Sequence, residues 1–423
     1  MRRGVKLSET KNIAECGKRL EEGNAADSKR QRNKRRGASE NFVKECEKQE
    51  KTSGFGIYIK DMNVYFKRAA HTVKLSFTLV GTIVGAGFLS GAELVRFFPS
   101  EGYLSYAIVS ALLYAGCFYL LYRCGTKYGG FAGTVNELFG KGAQIIRSVL
   151  LISSLVMCAS MFAGLNAAAE EGLGWESAFP LAALTALPLL YFLSGKGVKG
   201  LFWINLALVP FILIFVISYA GISYEPGLSG DSLQAFSCLF SILVYVAMNC
   251  FLAAPLICDA GAEGKNGGSG CITAAALIGF CTAVLLSNIA AAGEAAQNAQ
   301  MPFLYALGGE KIKVIFSLVC ICGILTTLFS SWYPLHTAMQ GKRRAKVWRA
   351  ALLAAAFVLS LFGLKPIIRF VYPLVGAAGA IFLAVCAVRS RLLFDEPFFG
   401  KRDKRVHTCG KYAQDRRCRH HEV

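Results

Sequence analysis

The chain has 423 residues, 54% hydrophobic and 17% charged, with a mean hydropathy of +0.44. That balance excludes an ordinary soluble multidomain protein and points to a polytopic membrane protein. The net charge of +19 does not imply nucleic acid, because Lys and Arg gather in two tails and short loops rather than on a folded basic face.

Residues from Met1 to about Ala70 are rich in Lys, Arg, Glu, Asn and Gln, include KRQRNKRRG at Lys29 to Gly37, and lack the apolar core of a signal peptide. Residues 1–70 are therefore expected to be a disordered, basic, cytoplasmic tail. Met62, followed by NVYFKRAAHTVKLSF, offers a second start, the upstream part then being an extension of the gene model. Residues 71–390 form the expected transmembrane domain, and 391–423 a second basic cytoplasmic tail. His407, Cys409, Cys418, His420 and His421 in that tail follow no zinc spacing and read as solvated.

Apolar runs of spanning length fall at roughly Leu75 to Leu94, Tyr103 to Tyr122, Ile145 to Ala168, Phe179 to Leu193, Leu201 to Ile222, Leu233 to Cys258, Cys271 to Ala292, Val314 to Leu335, Val347 to Phe362 and Ile367 to Val388. They predict an all-α membrane protein of about ten transmembrane helices. Cysteines inside these runs, such as Cys117, Cys250 and Cys320, read as small buried side chains rather than disulfide partners. With the N-terminus inside, the inner loops hold Arg123, Lys127, Lys141, Arg147, Lys196, Lys199, Lys265 and GKRRAK at Gly341 to Lys346. The outer loops hold Glu101, Glu170, Glu171, Glu176, Glu225, Asp231, Glu294 and Glu310, diluted by Arg96, Lys311, Lys313, Lys365 and Arg369. Cytoplasmic Lys and Arg excess then places both termini in the cytoplasm of a plasma-membrane protein.

The first span contains VGTIVGAGFLSGAELVRFF, Val80 to Phe98, with Gly81, Gly85, Gly87, Gly91 and an intramembrane Glu93. A glycine-rich break at membrane depth requires a protein-covered or water-filled cavity, and its freed amides and carbonyls can hold a solute or cation. The same glycines also fit a small-residue packing seam. The sixth span favours the break, because YVAMNCFLAAP at Tyr245 to Pro255 puts Asn249 and a helix-breaking proline at similar depth. The starts of the two interrupted spans lie five helices apart, and an odd offset inverts the two halves, giving repeats at about 73–222 and 233–388. Glu93 is a proton carrier, an ion ligand or a partner for a substrate ammonium; its plainer role is an interface glutamate paired with Arg96.

The eighth span carries ILTTLFSSWYP, where Thr326, Thr327, Ser330 and Ser331 offer hard oxygen ligands for sodium or simply bond back along their own helix. Asn166, Asn205 and Asn288 read as interhelical hydrogen bonders, Trp203 and Trp332 as interface anchors or cavity walls, and His336 as solvated. No cluster of catalytic spacing appears in the spans, and no phosphate-cradling Gly-x-x-x-x-Gly-Lys-Ser/Thr loop is present, which excludes an ATP-driven pump from this polypeptide.

GTIVGAGFLSGAE at Gly81 to Glu93, followed by INLALVPFILIF from Ile204, YVAMNCFLAAP from Tyr245, QMPFLYAL from Gln300 and LTT at Leu325 to Thr327, resembles the YkvI-like membrane proteins. These are a group within the amino acid-polyamine-organocation (APC) transporter superfamily. The resemblance runs from about Val73 to Val388 and implies a five-plus-five inverted repeat of the bacterial leucine-transporter type, with discontinuous helices one and six around the solute. It implies a substrate site at Gly85, Ala86, Gly87, Ser90, Glu93, Tyr245 and Asn249, and an ion site at Val84, Gly85, Thr326, Thr327 and Ser330. Departures stand at Gln300 and Gly323, where the family pattern leads one to expect acidic residues. The implied activity is secondary transport of an amino acid or similar small zwitterionic or cationic solute, with Na+ or H+ as coupling ion, no metal and no other cofactor. The partners are the solute and the lipid bilayer, the oligomeric state being open. The alternative is a transporter-like receptor or subunit that binds a ligand without net transport.

Overall fold

Backbone amides and carbonyls at membrane depth find no water, so a chain this apolar satisfies them within helices. The computed structural model describes residues 54–99, 102–175, 181–193, 197–219, 232–264 and 267–390, and every regular element among them is helical. The chain divides into two units, Met1–Ala69 and Ala70–Val423. The expected tails lie outside the described residues up to Ser53 and from Arg391 onward, as do the loop residues Glu101, Glu176, Lys196, Glu225, Asp231 and Lys265.

The first predicted span is broken into α1 (Gly54–Ile83), α2 (Ala86–Leu89) and α3 (Ala92–Phe97). The second and third are α4 (Tyr103–Tyr128) and α6 (Ala143–Leu173), joined through the short α5 (Phe131–Phe139). The fourth to seventh are α7 (Leu181–Leu193), α8 (Gly197–Ser218), α9 (Ser232–Glu263) and α10 (Gly268–Ala291). Two short helices, α11 (Glu294–Asn298) and α12 (Pro302–Ala306), lead to α13 (Glu310–Ala338), α14 (Ala345–Ser360) and α15 (Leu364–Ser390). By length and composition α4, α9, α10, α13, α15 and the Phe131–Glu171 segment are able to cross a membrane.

The interruption expected in the sixth span is absent. Helix α9 runs unbroken from Ser232 to Glu263 with Pro255 inside it. The proline removes one backbone hydrogen bond, to the carbonyl of Phe251; packing of α9 against α4 and α15 along its length holds the helix across that missing rung. Elsewhere α13 packs against α6 and α8, α10 against α4, and α14 against α6.

Helix α5 is held at both ends by other helices. Its first amide, on Phe131, donates to Asp259 Oδ1 of α9 at 2.9 Å, and Arg389 Nη1 of α15 donates to the Leu138 carbonyl near its end at 2.6 Å. An anion at the N-terminus and a cation at the C-terminus both complement the helix dipole. The described cysteines are all free thiols, as their placement in apolar runs suggests.

Candidate functional site

The break begins where Val84 and Gly85 leave helical geometry. Gly85 is extended, with φ −104° and ψ −159°, and its amide turns back to the Ile83 carbonyl at 2.9 Å. Gly91, between α2 and α3, has φ +82°, a left-handed conformation that a residue with a Cβ adopts only at a cost. The Ser90 carbonyl, freed by this second bend, accepts the Phe303 amide of α12 at 2.8 Å. The glycine run is thus a break and also a seam: a Cβ at Gly85 would lie 2.7 Å from Thr327 Oγ1, and one at Gly87 would lie 2.2 Å from Glu93 Oε1.

Glu93 is 3% exposed and turns into the bundle, whereas Arg96, one turn on, is exposed. The pairing of Glu93 with Arg96 at the interface is therefore not the arrangement found. A buried carboxylate needs partners. Tyr245 of α9 donates its hydroxyl to Glu93 Oε2 at 3.0 Å, and the Tyr372 hydroxyl of α15 also faces this carboxyl group. Tyr372 follows a π-helical turn at Ile367–Val371 and shares a 2.8 Å hydrogen bond with Ser160 of α6. Phe97 and Phe98 pack on Tyr245 with ring centroids 5.1 and 5.7 Å away. Beside them Asn249 Nδ2 donates to the Tyr245 carbonyl at 3.1 Å, and the buried Tyr114 hydroxyl of α4 has Asn249, Glu93, Cys117 and Cys250 as neighbours.

On the other flank of the break, Thr327 Oγ1 donates to the Gly81 carbonyl at 2.9 Å. Thr326 Oγ1 turns back to Gly323 O at 2.7 Å, and Ser330 Oγ donates to Thr326 O at 3.0 Å while accepting from Thr82 Oγ1 at 2.9 Å. Gly323 is required here, because a Cβ would lie 2.2 Å from Leu89 Cδ1 and 3.0 Å from the Val84 carbonyl. A carboxylate side chain at position 323 has no room against this break.

Folding therefore brings Gly87, Glu93 and Tyr245 together with Asn249 close by, and sets Thr327 against Gly85. Ala86 is packed against Gly164 of α6, and Ser90 Oγ donates to Gly87 O at 3.2 Å, so both shape the break. Sequence reasoning missed Tyr114 and Tyr372, since isolated tyrosines in apolar runs carry no spacing signal. Asn166 and Asn288 do bond across helices, to the Ala183 amide and the Tyr219 carbonyl. Trp203 is 65% exposed with Lys74 over its ring, but Trp332 is buried, and His336, expected to be solvated, is 3% exposed.

Two cavities flank this layer. One of about 620 Å³ lies at the α3 end of the bundle, among Ala92, Arg96, Gln297, Lys365 and Arg369. The other, of about 470 Å³, lies among Arg147, Pro255, Asp259, Tyr333 and Lys342. There Tyr333 of α13 donates to Asp259 Oδ2 at 2.8 Å.

No protein-family model matches the chain. The chain is 27% identical over 336 residues to the uncharacterized membrane protein YkvI of Bacillus subtilis (strain 168), covering 73% of this chain and 93% of that protein. It is 22% identical over 332 residues to the uncharacterized protein YyaD of the same organism, covering 74% and 95% respectively. Among solved structures, MHP1, a nucleobase-cation-symport-1 family transporter in a closed conformation with bromovinylhydantoin bound, aligns with a TM-score of 0.51 at 12% identity over 76% of this chain and 78% of that one. That likeness shows the fold: an all-α, multi-pass membrane protein of the leucine-transporter, inverted-repeat type.

Proposed function

We propose that the chain is a secondary transporter that moves a small solute by alternating access, coupled to Na+ or H+. One observation carries this reading: a first span broken at Val84 and Gly85, whose Glu93 is buried inside the bundle against Tyr245 of the sixth span. An anchor or a structural bundle has no use for a carboxylate there, since burying it costs roughly 2.5–3.5 kcal/mol even on the lenient insertion scale. The solute would bind at Gly85, Ala86, Gly87, Ser90, Glu93, Tyr245 and Asn249. A sodium ion would take oxygens of Val84, Gly85, Thr326, Thr327 and Ser330, and a proton would ride on Glu93. The protein would sit in the cell membrane with both termini in the cytoplasm, so that α3 ends on the outer side.

The test is thermal unfolding of the purified full-length protein in detergent with a panel of amino acids, amines and small organic acids, in sodium and in choline buffers. A bound solute raises stability by about 2.7 kcal/mol at a hundredfold excess over its dissociation constant. A solute-specific shift enlarged by sodium assigns the ion to the Thr327 side, and a shift indifferent to sodium assigns coupling to Glu93 and protons. Glu93→Gln should abolish uptake into proteoliposomes at unchanged membrane abundance; unchanged uptake refutes the role given to Glu93. Binding without accumulation would instead make the chain a receptor-like subunit.

A further inference from the structure

The cavity at the α3 end is walled by cations from two distant parts of the chain. Arg96 comes from α3, and Lys365 and Arg369 come from the start of α15, with Gln297 and Asn298 of α11 between them. By loop charge these residues lie on the side where Lys and Arg should be scarce, so hydropathy and topology give no reason for them. Folding supplies one by gathering them around a single opening of about 620 Å³.

All three are exposed. Lys365 Nζ donates to the Asn298 carbonyl at 3.2 Å, and the Arg369 guanidinium lies 5.4 Å from the Phe370 ring centre. Among the described residues no carboxylate lines the cavity and no ion pair neutralises these groups; the acid whose charge reaches Lys365 is Glu171, at the end of α6. A cleft lined by one sign of charge over low-dielectric walls focuses its field and enriches ions of the opposite sign. Arginine adds a planar fork matched to a carboxylate. The cavity also touches Ala92, Val95 and Arg96 on the helix whose buried face carries Glu93, so it lies on the outer face of the helix that supplies that carboxyl group.

We propose that this cavity is an anion-collecting mouth, and that the solute is a carboxylate-bearing molecule of net negative charge, an acidic amino acid or a small dicarboxylate. The solute class rests on the transporter reading above, while the collecting mouth does not. A net anion moving inward meets the buried Glu93 carboxyl group, so it is held there through an ammonium group of its own or with Glu93 protonated. The solute proposed here differs in net charge from the zwitterionic or cationic one that the sequence led one to expect.

The mouth is tested by charge-selective thiol labelling. Ala299→Cys puts a thiol on the cavity wall, and the unsubstituted protein gives the background from the native thiols. Sulfonatoethyl (anionic) and trimethylammonium-ethyl (cationic) methanethiosulfonates are compared, each referred to its rate with free cysteine. The anion-to-cation ratio should rise about tenfold at low salt. It should return towards unity at roughly 1 M salt, where the screening length is about 3 Å, and in Ala299→Cys carrying Arg96→Gln and Arg369→Gln. A ratio near unity at low salt, or one unmoved by those two substitutions, overturns the proposal. Because Arg96 and Arg369 are exposed, their removal leaves the core intact, which an unchanged thermal midpoint checks.

The solute class is tested by uptake of glutamate, succinate, leucine and lysine into proteoliposomes. Uptake of glutamate or succinate, with a raised KM in Arg96→Gln/Arg369→Gln, is the expected result. Uptake confined to lysine or leucine overturns the solute class. An intact anion preference, with one of the four bound in the thermal assay and none taken up, overturns the transporter reading and leaves the collecting mouth standing.

Discussion

At the scale of single residues the site is a set of close approaches that only missing side chains allow. Gly87 gives Glu93 its place, since a methyl group there would stand 2.2 Å from a carboxylate oxygen. Gly87→Ala should therefore displace Glu93 from Tyr245 and cost about 1–3 kcal/mol of stability, the usual range for overpacking. Uptake should fall further than abundance; equal uptake per folded molecule would show that the Glu93 to Tyr245 contact is not needed. Tyr245→Phe removes the 3.0 Å hydrogen bond while leaving the ring against Phe97 and Phe98. Losing a hydrogen bond costs about 0.5–1.5 kcal/mol, and about 1.5–3 kcal/mol where the acceptor is ionised, and the variant should keep its fold while binding solute more weakly in the thermal assay. The glycines and Glu93 were legible beforehand because they violate what a membrane helix wants. Tyr114 and Tyr372 were not, because a tyrosine among apolar residues violates nothing.

At the scale of elements the broken first helix and the continuous sixth are different solutions to similar sequence signals. Gly91 takes a left-handed turn and Gly85 leaves room for Thr327 at the break, whereas Pro255 deletes one hydrogen bond and leaves the rest of α9 in place. Helix α5 shows how neighbouring elements set such choices, since Asp259 joins its N-terminus to α9 and, through Tyr333, to α13. Asp259→Ala should cost about 1–2 kcal/mol, as for a lost N-cap. The loss should appear first as faster amide exchange in α5, measured by mass spectrometry; protection of α5 equal to that in the unsubstituted protein would remove Asp259 from this role. No periodicity in the sequence pointed to Asp259, because its partners are an amide and a hydroxyl more than seventy positions away on other helices.

At the scale of the whole molecule, hydropathy and loop charge define an orientation that labelling can check. A cysteine in place of Lys342 should react with a membrane-impermeant maleimide only in inside-out vesicles, and one in place of Lys365 only in right-side-out cells. The reverse pattern would invert the proposed orientation and put the cationic cavity in the cytoplasm. Composition and the spacing of apolar runs were enough to establish a helical, multi-pass membrane protein, because satisfying backbone groups in lipid is a local requirement that each segment meets within itself. They were also enough to single out the first span, since a carboxylate carries a local penalty in any membrane helix and stands here beside a run of glycines. Which tyrosines hold Glu93, why position 323 has no side chain, and that Arg96 shares a cavity with Lys365 and Arg369 were decided by packing between helices distant in the chain. Those contacts depend on interhelical distances of a few ångströms, which a single sequence does not encode locally.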